Sequence, residues 1–220
     1  MNIKDAIEEK IEGDYLISIF NRQKELMSKY HNIETRSGLC QTEDCPVNLD
    51  DKYGQARIKD FAWRTTEELG EALDSIINDR DETHFKEELV DGLHFLTELT
   101  ILSGYTPEKI YKTVFDKEYD EENDILISLY DFCIKENDCF SLSERIVHFI
   151  CDLGMACNCL KNKPWKQTNM ITDKEIFYKK LVSTWISYIT ILSCIMDPDE
   201  IVSNYLKKSQ VNKFRQRSGY

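Results

Sequence analysis

Apolar residues recur at helical spacing along most of the chain. In residues 14–30, Leu16, Ile19, Phe20, Leu26 and Met27 fall on one side of a helical projection, which predicts a first helix. Residues 31–56 are polar and irregular, interrupted by Gly38, Pro46 and Gly54. That stretch is long for a structureless connection, and it is expected to form a loop or lid. Helical spacing resumes from about Ile58 to Asn78 and again to about Ser103, with Thr83 as the expected cap of the second run. Thr106-Pro107 and Asp197-Pro198 each place a capping residue before a proline that fits the first helical position. Ser141 with Glu144, and Thr172 with Glu175, have the spacing of capping boxes. No strand pairs or hairpin turns stand out. The pattern predicts an all-α fold, a helical bundle in a single domain spanning residues 1–220.

A weak internal repeat overlies this pattern. Residues 100–117 parallel residues 190–208, both reading as a helix end, a capped proline and a new helix. Extended upstream, the register sets Leu89-Val90 beside Leu181-Val182, Glu88 beside Lys180 and Asp91 beside Ser183. If the hairpin is duplicated, the second copy has kept the scaffold and lost the acids.

Those acids are the chemically distinctive feature. Glu68 and Glu71 stand three apart, as do Glu88 and Asp91, and the short segment NDRDET separates the two predicted helices. Residues at i and i+3 share a helix face, so an antiparallel hairpin brings four carboxylates together. Phe95, Leu99 and Leu102 share the face of Glu88 and Asp91, which places that pair at the head of an apolar surface. Bare carboxylates are costly to bury, and a hard, oxygen-seeking cation such as Mg²⁺ is the simplest partner. On the first helix Phe61, Ala72 and Ser75 share the acidic sector, and Phe61 or Trp63 offers a ring that can stack on a base, although core packing also explains them. Arg80, in the turn between the two helices, could reach a phosphate, although a solvated loop arginine also explains it; His31, His84 and His148 show no ligand spacing, and no phosphate-cradling glycine loop is present.

Charge narrows the partner. The 28 basic and 40 acidic residues leave a net charge of −12, which opposes general polynucleotide binding. The last 14 residues reverse that sign, with Lys207, Lys208, Lys213, Arg215 and Arg217 and no acid, and so mark residues 205–220 as a candidate anion-binding tail. No run approaches the length of a membrane span, and MNIKDAIEEK has no secretory apolar core, so a soluble, cytoplasmic protein is expected. The eight cysteines form no zinc-like spacing.

The arrangement ExxE, spacer, ExxD resembles the signature of the all-α nucleoside triphosphate pyrophosphatase superfamily, which includes MazG proteins, dimeric dUTPases and phage dCTP/dUTP pyrophosphatases. The resemblance implies that Glu68, Glu71, Glu88 and Asp91 hold Mg²⁺, with Mn²⁺ as a substitute, and that Glu68 or Glu71 is the general base. His94-Phe95 and the ending with Lys208, Asn212, Arg215-Gln216 and Gly219-Tyr220 are similar to the dimeric dUTPase and phage branch. By that likeness Lys208, Asn212, Arg215 and Tyr220 bind the triphosphate. Gln23 and Leu26 match part of a base-contacting QxxLND segment, while Met27 and Ser28 depart from it. The implied reaction is hydrolysis of a dNTP, dUTP or dCTP, to dNMP and pyrophosphate, by a homodimer or higher assembly.

Two other readings remain open at this level. Asp91-x-x-His94 is half of the ligand pattern of a ferritin-like di-metal carboxylate protein. An acidic helical interaction protein without catalysis would leave the carboxylates merely solvated.

Overall fold

The helix that the others pack around is the most fully buried one. The computed structural model describes residues 3–38, 42, 44–135 and 140–219, and within it this central helix is α3, Glu82–Leu102. Leu89, Val90, Leu93, Leu96, Leu99 and Leu102 are all essentially buried, so α3 presents apolar residues on every side. A helix that is apolar all round must be enclosed by others. The remaining elements are α1 (Tyr15–Ser37), α2 (Lys52–Asp74), α4 (Pro107–Phe115), α5 (Ile125–Lys135), α6 (Leu142–Cys159), α7 (Lys174–Leu192) and α8 (Pro198–Arg217), with a short 3₁₀ turn at Ile3–Asp5. No strand occurs among the described residues, so the predicted all-α class holds.

α2 lies along α3, α6 along α7, and α1 and α8 close the free side of α3. α7 is keyed to α3 by two buried hydrogen bonds. Trp185 Nε1 donates to Thr100 Oγ1 at 2.9 Å, and the Tyr188 hydroxyl donates to the Leu89 carbonyl at 2.6 Å. The element order helix, helix, proline-started helix recurs in α2–α4 and α6–α8, as the sequence repeat suggests.

Helix starts follow local chemistry closely. Thr106 and Asp197 cap α4 and α8 ahead of their prolines, and Ser141 with Glu144 forms the expected capping box on α6. α1 and α5 cap one another reciprocally. Asp14 accepts from the Ile17 and Ile125 amides, while Asp124 accepts from the Ile127 and Tyr15 amides. Two other expected caps are replaced by neighbours. Asp81, not Thr83, caps α3, and Asp173, not Thr172, caps α7. Aspartate accepts hydrogen bonds at these positions at least as well as threonine. Thr172 is instead buried in a polar knot, where its hydroxyl donates to the Leu49 carbonyl while Gln55 Nε2 donates to Leu49 O and to Thr172 Oγ1. Asn162 joins the knot through Asp50, Met170 and Gln55.

The expected loop over 31–56 is shorter than its polarity suggested. α1 continues to Ser37 and α2 begins at Lys52, where Asp51 accepts from the Tyr53 and Gly54 amides. Of the connection between them, Val47 and Leu49 are buried and the Val47 amide donates to Leu102 O at 2.8 Å. This stretch is therefore strapped to the end of α3. α2 itself ends at Asp74, short of Asn78, in a π turn over Ser75–Asp79 that Arg80 closes in the left-handed region.

Two glycines on the acidic hairpin have opposite roles. A Cβ on Gly92 would stand 2.3 Å from the Tyr188 hydroxyl, and that hydroxyl is buried and already committed to Leu89. A Cβ on Gly70 would meet nothing within 4 Å. Gly92→Ala is expected to destabilise the fold by about 1–3 kcal/mol through overpacking. Gly70→Ala is expected to stabilise it by about 0.5–1 kcal/mol through helix propensity. Urea unfolding midpoints of the two variants should move in opposite directions; equal shifts would contradict this account of the α2–α3–α7 contact.

Candidate active site

Four helices each turn one stripe of side chains into a common cavity of about 670 Å³. α2 contributes Phe61, Arg64, Glu68 and Glu71, spaced by three and four residues. α3 contributes Asp91, Phe95 and Glu98, again at helical spacing. Gln23, Leu26, Tyr30 and Glu34 come from α1, and Asn212, Arg215 and Gln216 from α8. The periodicity of each segment thus delivers residues far apart in sequence to one chamber.

At one end, carboxylate oxygens of Glu68, Glu71 and Glu88 lie within 4.8 Å of one another. Gly92 lies beside this group, its Cβ position standing at ordinary contact distance, 3.6 Å, from Glu68 Cβ. Glu88 is buried and its Oε1 lies 3.0 Å from His84 Nδ1, a partnership that sequence spacing did not suggest. Burial, a hydrogen bond with Glu88 and the nearby acids push the Glu68 carboxyl up to about 8. Like charges confined at this distance cannot all ionise, so the group retains a proton or attracts a cation. The donor set is all carboxylate oxygen, which fits a hard divalent ion rather than a soft one.

Asp91, the fourth expected acid, is held slightly apart. Lys208 Nζ approaches its Oδ2 at 2.5 Å. Burial pushes Asp91 up to about 6 even against the pull of that ammonium. Lys208 is itself buried and is not among the residues lining the cavity. The basic tail as a whole is the last part of α8, and much of its charge is engaged. Lys207 pairs with Glu8 and Lys213 with Glu25, fastening α8 to the N-terminal region and to α1. Asn212 and Arg215 do line the cavity, while Tyr220 lies outside the described residues.

The other end of the cavity is aromatic and polar. Phe61 and Phe95 stand with ring centroids 6.1 Å apart. Trp63 faces outward, 61% exposed, and donates to Glu67 Oε1 at 2.7 Å, so of the two expected aromatic residues only Phe61 reaches the chamber. Gln23 is 2% exposed and sits in a network that short motifs did not reveal. Its Oε1 accepts from the Tyr205 hydroxyl and lies 2.8 Å from His94 Nδ1, while its Nε2 donates to Glu98 Oε2 at 2.8 Å. Tyr30 also donates to Glu98 Oε2. His94 stacks on Tyr205 at 3.8 Å, and burial lowers its pKa to about 3. Burial pushes Glu98 up to about 7, opposed by the Tyr30 hydrogen bond. Glu98 and Tyr30 lie within apolar or ordinary helical runs, where residue type alone does not separate a site from a core.

A family model described as dUTPase matches residues 15–220, which takes in all eight helices. No curated protein and no solved structure matches the chain. Among the described residues no helix is long and apolar enough to cross a membrane.

The raised carboxyls give stability a pH dependence of definite sign. Between 4.5 and about 8 the folded protein keeps a proton on Glu68 that the unfolded chain has lost, so rising pH destabilises. His94 acts oppositely, because the unfolded chain takes up its proton below 6.5, but that contribution is constant above 6.5. Metal-free protein is therefore expected to lose thermal stability from pH 6.5 to about 8, with Glu98 adding in the same direction. Glu68→Gln should flatten the slope, and millimolar Mg²⁺ should raise the midpoint more at the upper end of that range. A flat or rising midpoint in the metal-free protein would refute this charge assignment.

Proposed function

The chain belongs to the dUTPase family, and from that premise we propose that it is a Mg²⁺-dependent pyrophosphohydrolase. Its reaction would take dUTP or dCTP and water to the nucleoside monophosphate and pyrophosphate. The observation that carries the reading is the trio Glu68, Glu71 and Glu88, gathered within 4.8 Å at the end of a cavity that Asn212 and Arg215 also line.

Glu68, Glu71, Glu88 and Asp91 would hold the divalent ion. Bound there, it supplies Lewis-acid neutralisation of phosphate oxygens, and Mn²⁺ can take the same place. The chain's own groups do the rest. Glu68 and Glu71 both line the cavity, so either reaches a water poised against the α-phosphorus and takes its proton. Asn212 and Arg215 hydrogen-bond the departing pyrophosphate as its charge grows. Lys208 sets the position of Asp91 through their ion pair, and Tyr220 is assigned to the phosphates by the resemblance of the chain's ending. Phe61 packs against the base, with Gln23 behind it.

The ferritin-like alternative loses its support at His94. That ring lies against Gln23 and Tyr205 rather than joining the carboxylate trio, as a metal ligand would.

The assembly proposed is a homodimer in the cytoplasm. Val147, Ile150 and Met155 are exposed apolar residues of α6, an unpartnered surface through which two copies can meet.

Two measurements test these points. Incubation with dUTP and dCTP plus Mg²⁺ should release pyrophosphate, and Glu71→Gln or Asp91→Asn should lower kcat by about a hundredfold or more. Release of inorganic phosphate alone, or variants as active as the parent, would end the proposal. Light scattering should give twice the 25.9 kDa chain mass, and Ile150→Lys should return it to one chain; a monomeric parent would remove the dimer.

A further inference from the structure

The far end of the cavity holds a buried acceptor with nothing to accept. Glu98 is 1% exposed, and both of its assigned donors, Gln23 Nε2 and the Tyr30 hydroxyl, converge on Oε2. Its Oε1 is buried and lacks a hydrogen-bond partner, while Glu98 lines the cavity. A buried polar atom without a partner carries the full cost of leaving water, so it marks either strain or a missing ligand group. Gln23 does not relieve it, because the Gln23 carbonyl oxygen already faces Tyr205 and His94 and fixes which way the amide points.

The surroundings specify what the missing group belongs to. Phe61, Phe95 and Leu26 give the same end of the cavity apolar and aromatic walls, which suit a flat ring. On α3, Glu98 stands seven residues beyond Asp91, two turns along the same stripe, or about 10.5 Å at the helical rise. That is comparable with the reach from the α-phosphate of a nucleotide to the pairing edge of its base.

We infer that Glu98 is a specificity-determining residue whose Oε1 accepts an N–H from the pairing edge of a pyrimidine, either N3–H of uracil or the 4-amino group of cytosine. This rests on the dNTP reading above and adds the residue that chooses the base. Gln23 and Tyr30 act behind it as positioning residues, holding Oε2 so that Oε1 faces the ring.

The substitution Glu98→Gln separates the possibilities. The Gln23 and Tyr30 donors would draw the new amide oxygen toward themselves, leaving an NH₂ where the acceptor stood. If Glu98 reads uracil N3–H, kcat/KM for dUTP falls about tenfold or more relative to dCTP, whose N3 is an acceptor. If it reads the cytosine amino group, dCTP falls by that factor relative to dUTP, whose O4 is an acceptor. The same ratio change should appear in calorimetric dissociation constants for dUMP and dCMP. An unchanged ratio in both measurements overturns the inference, as does failure of the parent to bind either monophosphate. A parent that binds a monophosphate but turns over neither triphosphate defeats the hydrolase reading alone, and the binding ratio still decides Glu98. Should Glu98→Gln lose its thermal transition, Glu98→Asp withdraws the oxygen while keeping the charge and is expected to weaken the preferred base selectively.

Discussion

Everything near the cavity depends on carboxylates being held out of water along one face of a buried helix. α3 is apolar enough to be enclosed on every side, yet its cavity stripe carries Glu88, Asp91 and Glu98. Each acid is accommodated differently. Glu88 faces His84 and shares a hydrogen bond with Glu68, Asp91 takes the ammonium of Lys208, and Glu98 is gripped on one oxygen by Gln23 and Tyr30. None of these arrangements neutralises the trio of Glu68, Glu71 and Glu88, where burial raises the proton affinity of Glu68 instead. A fold can tolerate such a cluster at a functional site because apolar burial elsewhere around α3 offsets it.

The α3 backbone beside the cluster is braced by a helix that contributes no acid to it. Tyr188 on α7 reaches the α3 backbone at Leu89, and Gly92 leaves room for it. Glu68 on α2 lies at ordinary contact distance from the same position. Gly92 therefore stands between the Tyr188 buttress of the second hairpin and an acid of the first. This gives the internal similarity a physical meaning, since α7 supplies the buttress at the level where α2 and α3 supply the acids.

Much of the fold was legible because it rests on local rules. Apolar periodicity located the helices, and proline and capping residues marked the starts of α4, α6 and α8. Boundaries failed where long-range contacts decide them. Polar residues 31–37 continue α1, with Arg57 of α2 reaching Glu34 at 2.8 Å. The acidic hairpin was visible because two i,i+3 pairs across a short turn form an uncommon pattern. Glu98 was not, since one glutamate in an apolar helix has no spacing to reveal it, and its partners stand 75 and 68 residues away in Gln23 and Tyr30. Trp63 stands away from the cavity for the complementary reason. It lies two residues from Phe61, and positions i and i+2 on a helix face in different directions.

The basic tail shows how cations that stand out in a sequence can be engaged by the protein's own acids. An excess of lysine in an acidic chain does imply attraction, but the nearest anions belong to the protein. Lys207 and Lys213 meet Glu8 and Glu25, and those pairs lie on α8 to either side of the pair formed by Lys208 and Asp91. Exposed pairs of this kind contribute little stability each. Their effect is to set the position of α8, so that Asn212 and Arg215 face the chamber rather than the solvent. The buried pair is different in kind, because Lys208 left without Asp91 would be an uncompensated charge in an apolar setting. In the proposed metal-bound state, Asp91 would be shared between the cation and an ammonium already in contact with it. Charge on the tail thus reaches the carboxylate end directly, through the ion pair of Lys208 with Asp91.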